Sequence, residues 1–190
     1  VGTNQADTFT GSDTSGSGSI FNDNEFYVGL GGNDTIDGGL GRDSLDYSRD
    51  AANGGTAGIT VTYTGSDAGT VIDGFGDTDT FANVDRVTGT NEADTFTGSS
   101  SFQQFTGLAG NDVIDGGADS DLVRYDLDAS NGGTLGVNVN LAAGTAIDGF
   151  GDTDTLLNIE RARGTEFDDT LIGDSGTNRL RGNAGNDFID

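Results

Sequence analysis

The sequence predicts an all-β fold, a right-handed parallel solenoid of the β-roll or β-helix kind wound from very short strands. Three observations predict it: a glycine that returns every nine residues, an aspartate five residues later, and a large apolar side chain two residues after that. Glycines open such units at positions 2, 11, 29, 38, 74, 89, 98, 107, 116, 149, 164, 173 and 182. The aspartates are Asp7, Asp34, Asp43, Asp79, Asp94, Asp112, Asp121, Asp154, Asp169 and Asp187. The apolar residues are Phe9, Ile36, Leu45, Phe81, Phe96, Ile114, Val123, Leu156, Leu171 and Ile189.

Each element of the unit has a physical reason. In a three-residue strand such as 35–37 the middle side chain points to one face and its neighbours to the other, so Ile36 and its counterparts line up as a thin inner column. The six preceding residues are glycine-rich, as expected of a turn whose backbone enters conformations closed to other residues. Two turns and two strands, eighteen residues in all, return the chain one layer higher, where successive strands stack in parallel.

Such a column is thin. The chain has 190 residues, a hydrophobic fraction of 32%, 34 Gly, no Pro, and 32 acidic against 8 basic residues, for a formal charge of −24. That composition is too polar and too charged for an ordinary apolar core, so something else must hold the fold together. Of the acids, 28 are Asp and 4 are Glu. This bias favours the short carboxylate that serves turns and binds hard cations, rather than a merely solvated acidic surface.

Composition also removes whole classes of function. With no Cys and no His there is no disulfide, thiolate zinc site, Ser-His-Asp triad or imidazole base. All basic residues are Arg, which excludes a phosphate-loop lysine and a Schiff base. No stretch approaches the roughly 18 apolar residues of a membrane span. The acidic surface repels nucleic acid and attracts cations.

A longer repeat overlies the short one. Residues 72–80 and 147–155 are identical, and Asn33-Asp34, Asn111-Asp112 and Asn186-Asp187 mark one point in three units. The units are 2–88, 89–163 and a truncated 164–190, within one continuous repeat region, 1–190. The chain has no initiating Met and opens and closes inside a repeat, so it reads as a segment flanked by further repeats of a longer chain.

Ile59 to Tyr63 and Val137 to Leu141 alternate apolar and polar residues, the pattern of a half-buried strand. They predict longer strands in the same stack or a hairpin flap beside it. Asn53-Gly-Gly and Asn131-Gly-Gly before them read as turns. Residues 83–88 and 158–163 read as strands leading back into phase. Residues 11–24 are expected to form an exposed loop with one extra nonapeptide, and no helix is strongly indicated.

Aspartates eighteen residues apart, such as Asp94 and Asp112, fall in adjacent turns and repel. A cation removes the conflict. Ca²⁺ takes about six to eight oxygens, from carboxylates and carbonyls alike, whereas Mg²⁺ demands tight octahedral geometry and keeps its water. Several Ca²⁺ ions are therefore expected. The candidate ligands are the ten aspartates named above, with Asn33, Asn111 and Asn186 beside them. Gly29, Gly31, Gly38, Gly39, Gly107, Gly116 and Gly117 are the turn glycines that expose carbonyls. Gly16, Glu25, Gln103 and Asn178 stand where the acid is lost. Asp77 and Asp152 are placed to supplement Asp79 and Asp154, while Asp37, Asp46 and Asp115 close their strands and are expected in solvent.

Residues 38–46, Gly-Gly-Leu-Gly-Arg-Asp-Ser-Leu-Asp, show the whole unit without a departure. The pattern resembles the nonapeptide of the RTX (haemolysin-type) calcium-binding repeat family. The resemblance implies a non-catalytic, calcium-dependent structural module of a secreted bacterial protein, exported unfolded by a type I system and folded by outside calcium. It also implies an extracellular location, with cell-surface attachment open. The rival readings are an adhesin surface for glycan, through Tyr47, Tyr63 or Tyr125, or for ice. The broken outward Thr rank (Thr35 and Thr95, but Val113 and Leu122) argues against ice, and a carboxylate-pair enzyme is the weakest reading.

Overall fold

The structure is a computed structural model that describes residues 1–11 and 25–190. The extra nonapeptide expected within 11–24, with Gly16, lies outside the described residues.

Among the described residues the strands form two sheets. The first has twelve strands, in the order Thr8–Thr10, Thr35–Asp37, Thr78–Ala82, Gly69–Ile72, Thr60–Tyr63, Thr95–Ser99, Val113–Gly117, Thr153–Leu157, Thr145–Ile147, Asn138–Asn140, Thr170–Ile172 and Phe188–Ile189. The second has seven: Phe26–Tyr27, Ser44–Asp46, Arg86–Thr88, Gln104–Thr106, Leu122–Arg124, Arg161–Arg163 and Arg179–Arg181. The chain alternates between them, and the strand pairs are parallel wherever the nonapeptide is regular. Thr95 pairs with Val113, Gln104 with Leu122 and Thr170 with Phe188, each eighteen residues on, as one full coil requires.

The apolar side chains of the strands point inward. Ile36, Phe81, Phe96, Ile114, Leu156 and Leu171 from the first sheet meet Leu45, Val87, Phe105, Val123 and Ala162 from the second in one buried cluster. Phe96 and Phe105 touch across the gap with ring centroids 5.4 Å apart. At the ends the column thins: Phe9 is only partly buried, and Ile189 is exposed.

The alternating segments enter the first sheet itself, so the longer-strand expectation holds and the side flap does not. Thr60–Tyr63 pairs in parallel with Thr95–Ser99. The chain then doubles back as Gly69–Ile72 and again as Thr78–Ala82, both antiparallel, and the last strand pairs in parallel with Thr35–Asp37. The excursion thus steps two places ahead and returns, and the second unit repeats it with Asn138–Asn140, Thr145–Ile147 and Thr153–Leu157. Residues 83–88 and 158–163 supply the strands Arg86–Thr88 and Arg161–Arg163 that resume the coil.

Short helical turns also occur where only turns were expected. Asp50–Asn53 is one α-helical turn capped by Gly54 at φ 109°, and Ala129–Asn131 is a 3₁₀ turn capped by Gly132 at φ 109°. Each Asn-Gly pair is thus a left-handed helix stop, which glycine tolerates and other residues resist. Tyr47, Tyr63 and Tyr125 are all buried, so none of them is available to a glycan. No helix among the described residues is long and apolar enough to cross a membrane.

Because the column is one side chain wide, each member matters. Phe96→Ala is expected to cost about 3–5 kcal/mol, read as a lower urea midpoint of the calcium-loaded chain.

Candidate metal centre

The repeat aspartates form ladders that climb the stack. All but Asp7 offer one carboxylate oxygen to the backbone N–H at the facing position one coil away, which for Asp94 and Asp169 belongs to Ile59 and Val137. Asp34 Oδ1 accepts from Asp7 N–H (2.7 Å), and Asp79 Oδ1 accepts from Asp34 N–H (2.8 Å). Further along, Asp112 accepts from Asp94 (2.9 Å), Asp154 from Asp112 (3.1 Å), and Asp187 from Asp169 (3.1 Å). On the other edge Asp43 accepts from Glu25 (2.7 Å) and Asp121 from Gln103 (2.7 Å). At Glu25 and Gln103, where the aspartate is replaced, the backbone N–H still completes the rung.

Two acids that the nonapeptide spacing did not single out extend this second ladder. Asp85 Oδ2 accepts from Asp43 N–H (3.1 Å), and Glu160 Oε2 from Asp121 N–H (3.0 Å). The signal was present in sequence: both acids stand two residues after an asparagine, at Asn83 and Asn158, seventy-five residues apart.

The second carboxylate oxygen separates these turns into three classes. In the Gly-Thr turns at 2–7, 89–94 and 164–169, threonine fills the turn. The amides of Thr3, Thr90 and Thr165 donate to Oδ2 of Asp7, Asp94 and Asp169 at 2.6, 2.8 and 2.8 Å. Their hydroxyls donate to the same carboxylates. Asp79 and Asp154 are satisfied differently, by the hydroxyls of Tyr47 (2.8 Å) and Tyr125 (2.9 Å).

The turns at 29–34, 38–43, 107–112 and 116–121 differ. Oδ2 of Asp34, Asp43, Asp112 and Asp121 has no hydrogen-bond partner, although these residues are at most 1% exposed. The backbone of the same turns is left-handed at the second and fourth positions: Leu30 and Gly32, Gly39 and Gly41, Leu108 and Gly110, Gly117 and Asp119. Leu30 and Leu108 hold φ of 63° and 73°, a conformation that costs a side-chain-bearing residue about 1–2 kcal/mol. Buried oxygens without donors, in strained turns, fit a hard cation better than any protein donor.

The candidate glycines keep these turns open. A Cβ on Gly29 would stand 2.5 Å from Asp34 Oδ2, and one on Gly107 would overlap Asp112 Oδ2. Gly38 and Gly116 face the carbonyls of Asn83 and Asn158, Gly117 faces that of Ser99, and Gly39 is left-handed. Gly31 instead lies under the Phe75 ring. Asn33 and Asn111 already use Oδ1 to accept from the amides of Thr78 (2.8 Å) and Thr153 (3.0 Å), while Asn186 leans on Asp168. Asp77 and Asp152 accept from the amides of Gly32 and Gly110, bracing the same turns. Asp37 and Asp115 receive Asn83 and Asn158 Nδ2 at 2.7 Å, and Asp46, expected in solvent, is buried and accepts from Ser48 N–H.

Among the described residues no three acidic side chains converge on one point. A cation in such a turn would take its remaining ligands from backbone carbonyls, which Ca²⁺ accepts readily.

Burial makes the charged form costly. It pushes the carboxyls of Asp34 and Asp43 up to about 6 and that of Asp121 up to about 7. For Asp112, burial together with the charges of Asp154 and Asp94 pushes it to about 9.

Four segments, residues 20–51, 88–123, 103–129 and 159–190, match the family model of the RTX calcium-binding nonapeptide repeat, and together they take in more than half of the chain. No curated protein matches it.

The raised carboxyls fix a sign for pH. Each binds its proton more tightly folded than unfolded, so their contribution to the cation-free fold is full below about pH 4 and is lost as pH rises through about 6–9. In EDTA, far-ultraviolet circular dichroism is expected to show less strand at pH 9 than at pH 5. Equal strand content at both would contradict this.

Proposed function

Because the chain belongs to the RTX calcium-binding nonapeptide repeat family and is a calcium-binding structural repeat module, we propose that its ions sit in the turns at 29–34, 38–43, 107–112 and 116–121. The observation that carries this reading is the buried, unpaired Oδ2 of Asp34, Asp43, Asp112 and Asp121. The carboxylates of Asp79, Asp94, Asp154, Asp169 and Asp187 act mainly as rungs that set the spacing between coils, and that of Asp7 closes its own turn on Thr3. Bound calcium would supply the positive charge that these turns lack.

The magnitudes support calcium as a folding switch. With a dissociation constant of about 10⁻⁴ M, typical of extracellular modules, millimolar calcium adds roughly 1.4 kcal/mol per site. Four such sites give about 6 kcal/mol, comparable to the whole stability of a domain. At sub-micromolar calcium the same sites add almost nothing. A chain with this balance stays unfolded inside the cell, passes a type I export channel, and folds outside. In this reading it is a non-catalytic spacer in a long secreted or surface-attached bacterial protein, stacked between further repeats of the same kind.

A calcium titration followed by circular dichroism at pH 7 tests the proposal. Strand signal is expected to rise cooperatively between micromolar and millimolar calcium, and magnesium at equal concentration is expected to fail. Full strand content in excess EDTA would refute it.

A further inference from the structure

Two pairs of buried carboxylates lie outside the nonapeptide positions. Asp50 opens the helical turn Asp50–Asn53, and Asp73 begins the turn that joins the strands Gly69–Ile72 and Thr78–Ala82. Both are 1% exposed. Asp50 Oδ2 accepts from Gly74 N–H (3.0 Å), which ties it to the residue after Asp73. Asp73 Oδ1 accepts from the amides of Phe75 (2.9 Å) and Asp77 (2.8 Å). Each carboxylate therefore spends one oxygen on holding the turn. The other, Asp50 Oδ1 or Asp73 Oδ2, is buried with no partner.

The second unit repeats the arrangement. Asp128 and Asp148 are 0% exposed. Asp128 Oδ2 accepts from Gly149 N–H (3.0 Å), and Asp148 Oδ1 from the amides of Phe150, Gly151 and Asp152. Asp128 Oδ1 and Asp148 Oδ2 are unpaired. Arg124 and Arg163 both pair with Asp126 instead.

Glycines pack directly against these carboxylates. A Cβ on Gly74 would stand 3.0 Å from both Ala57 O and Asp50 Oδ2, and one on Gly133 would stand 3.0 Å from Gly149 O. Glycine keeps these spaces free; Ala57 O borders the first, and Gly149 O, near the second, already accepts from the amides of Thr134 and Leu135. Two buried carboxylates tied together through one glycine amide, each with an unpaired oxygen, are a hard-oxygen donor set, too negative to remain dry and uncompensated.

We propose that Asp50 with Asp73, and Asp128 with Asp148, form a second class of calcium site that fastens each three-strand excursion to the coil beneath it. It rests on the chain's binding calcium, but its residues lie outside the four turns assigned above, so it can fail while those turns bind calcium. Its structural role follows from its position. The helical turn leads the chain out of the regular coil, the Asp73 turn bends it back, and an ion between them would pin both.

Two measurements decide it. The first is bound calcium per chain at saturation, by equilibrium dialysis, with folding checked by circular dichroism. The double variant Asp50→Asn, Asp128→Asn is expected to hold two ions fewer than the parent chain. An unchanged count in the folded variant would overturn the proposal and leave each pair sharing a proton. The second measurement uses the parent chain and decides the matter even if the variant does not fold. Anomalous diffraction from crystals grown in calcium is expected to give a peak between Asp50 Oδ1 and Asp73 Oδ2 and another between Asp128 Oδ1 and Asp148 Oδ2. Peaks at the nonapeptide turns without these two would overturn this proposal alone, and no peaks anywhere would overturn both assignments.

Discussion

The constraint on which the rest of the structure depends is the burial of carboxylates in register. Each coil donates a backbone N–H to an acid of the next, as from Asp94 to Asp112 and from Asp112 to Asp154. The rung sets the rise of the solenoid and aligns the strands on either side. It also brings like charges together in a poorly solvated place, and the upward shift of the Asp112 carboxyl records that cost. A thin column of Ile, Leu, Val and Phe cannot outweigh several such charges. Under the proposed function, the fold is therefore conditional on a cation.

Three devices manage the ladder, and each answers a different local problem. Threonine at 3, 90 and 165 closes a turn with its own hydroxyl and amide, which leaves the acid fully bonded. Tyr47 and Tyr125 reach Asp79 and Asp154 with a neutral donor at the edge of each excursion. The left-handed turns at 29–34, 38–43, 107–112 and 116–121 provide no donor at all and leave an oxygen open. Strain at Leu30 and Leu108 falls in this last class, beside the open oxygens to which calcium is assigned above.

Much of this was legible from spacing. The interval of five between glycine and aspartate is steric: at Gly89, Gly107, Gly164 and Gly182 a side chain would occupy the place of its own turn's carboxylate. The interval of two between aspartate and apolar residue is strand alternation, and it placed Ile36, Phe96 and Ile114 inward. The partner of each excursion strand was not legible. Alternation in 59–63 marks a strand, but no local feature says that it pairs ahead with Thr95–Ser99 instead of behind with Thr35–Asp37. The buried carboxylates of Asp50 and Asp73 were hidden for a similar reason, because they meet only after the chain has doubled back. The difference between Gly-Thr and left-handed turns was written in the second residue of each unit, and the acid positions alone obscured it.

Hydrogen exchange at the ladder amides tests the central claim most directly, because those N–H groups are the rungs themselves. The amides of Asp34, Asp94 and Asp112 at pH 7 are predicted to be protected in millimolar calcium, and to lose that protection by a factor on the order of 10⁴ in EDTA. Equal protection with and without calcium would mean that the coils hold together unaided, and the account would be wrong.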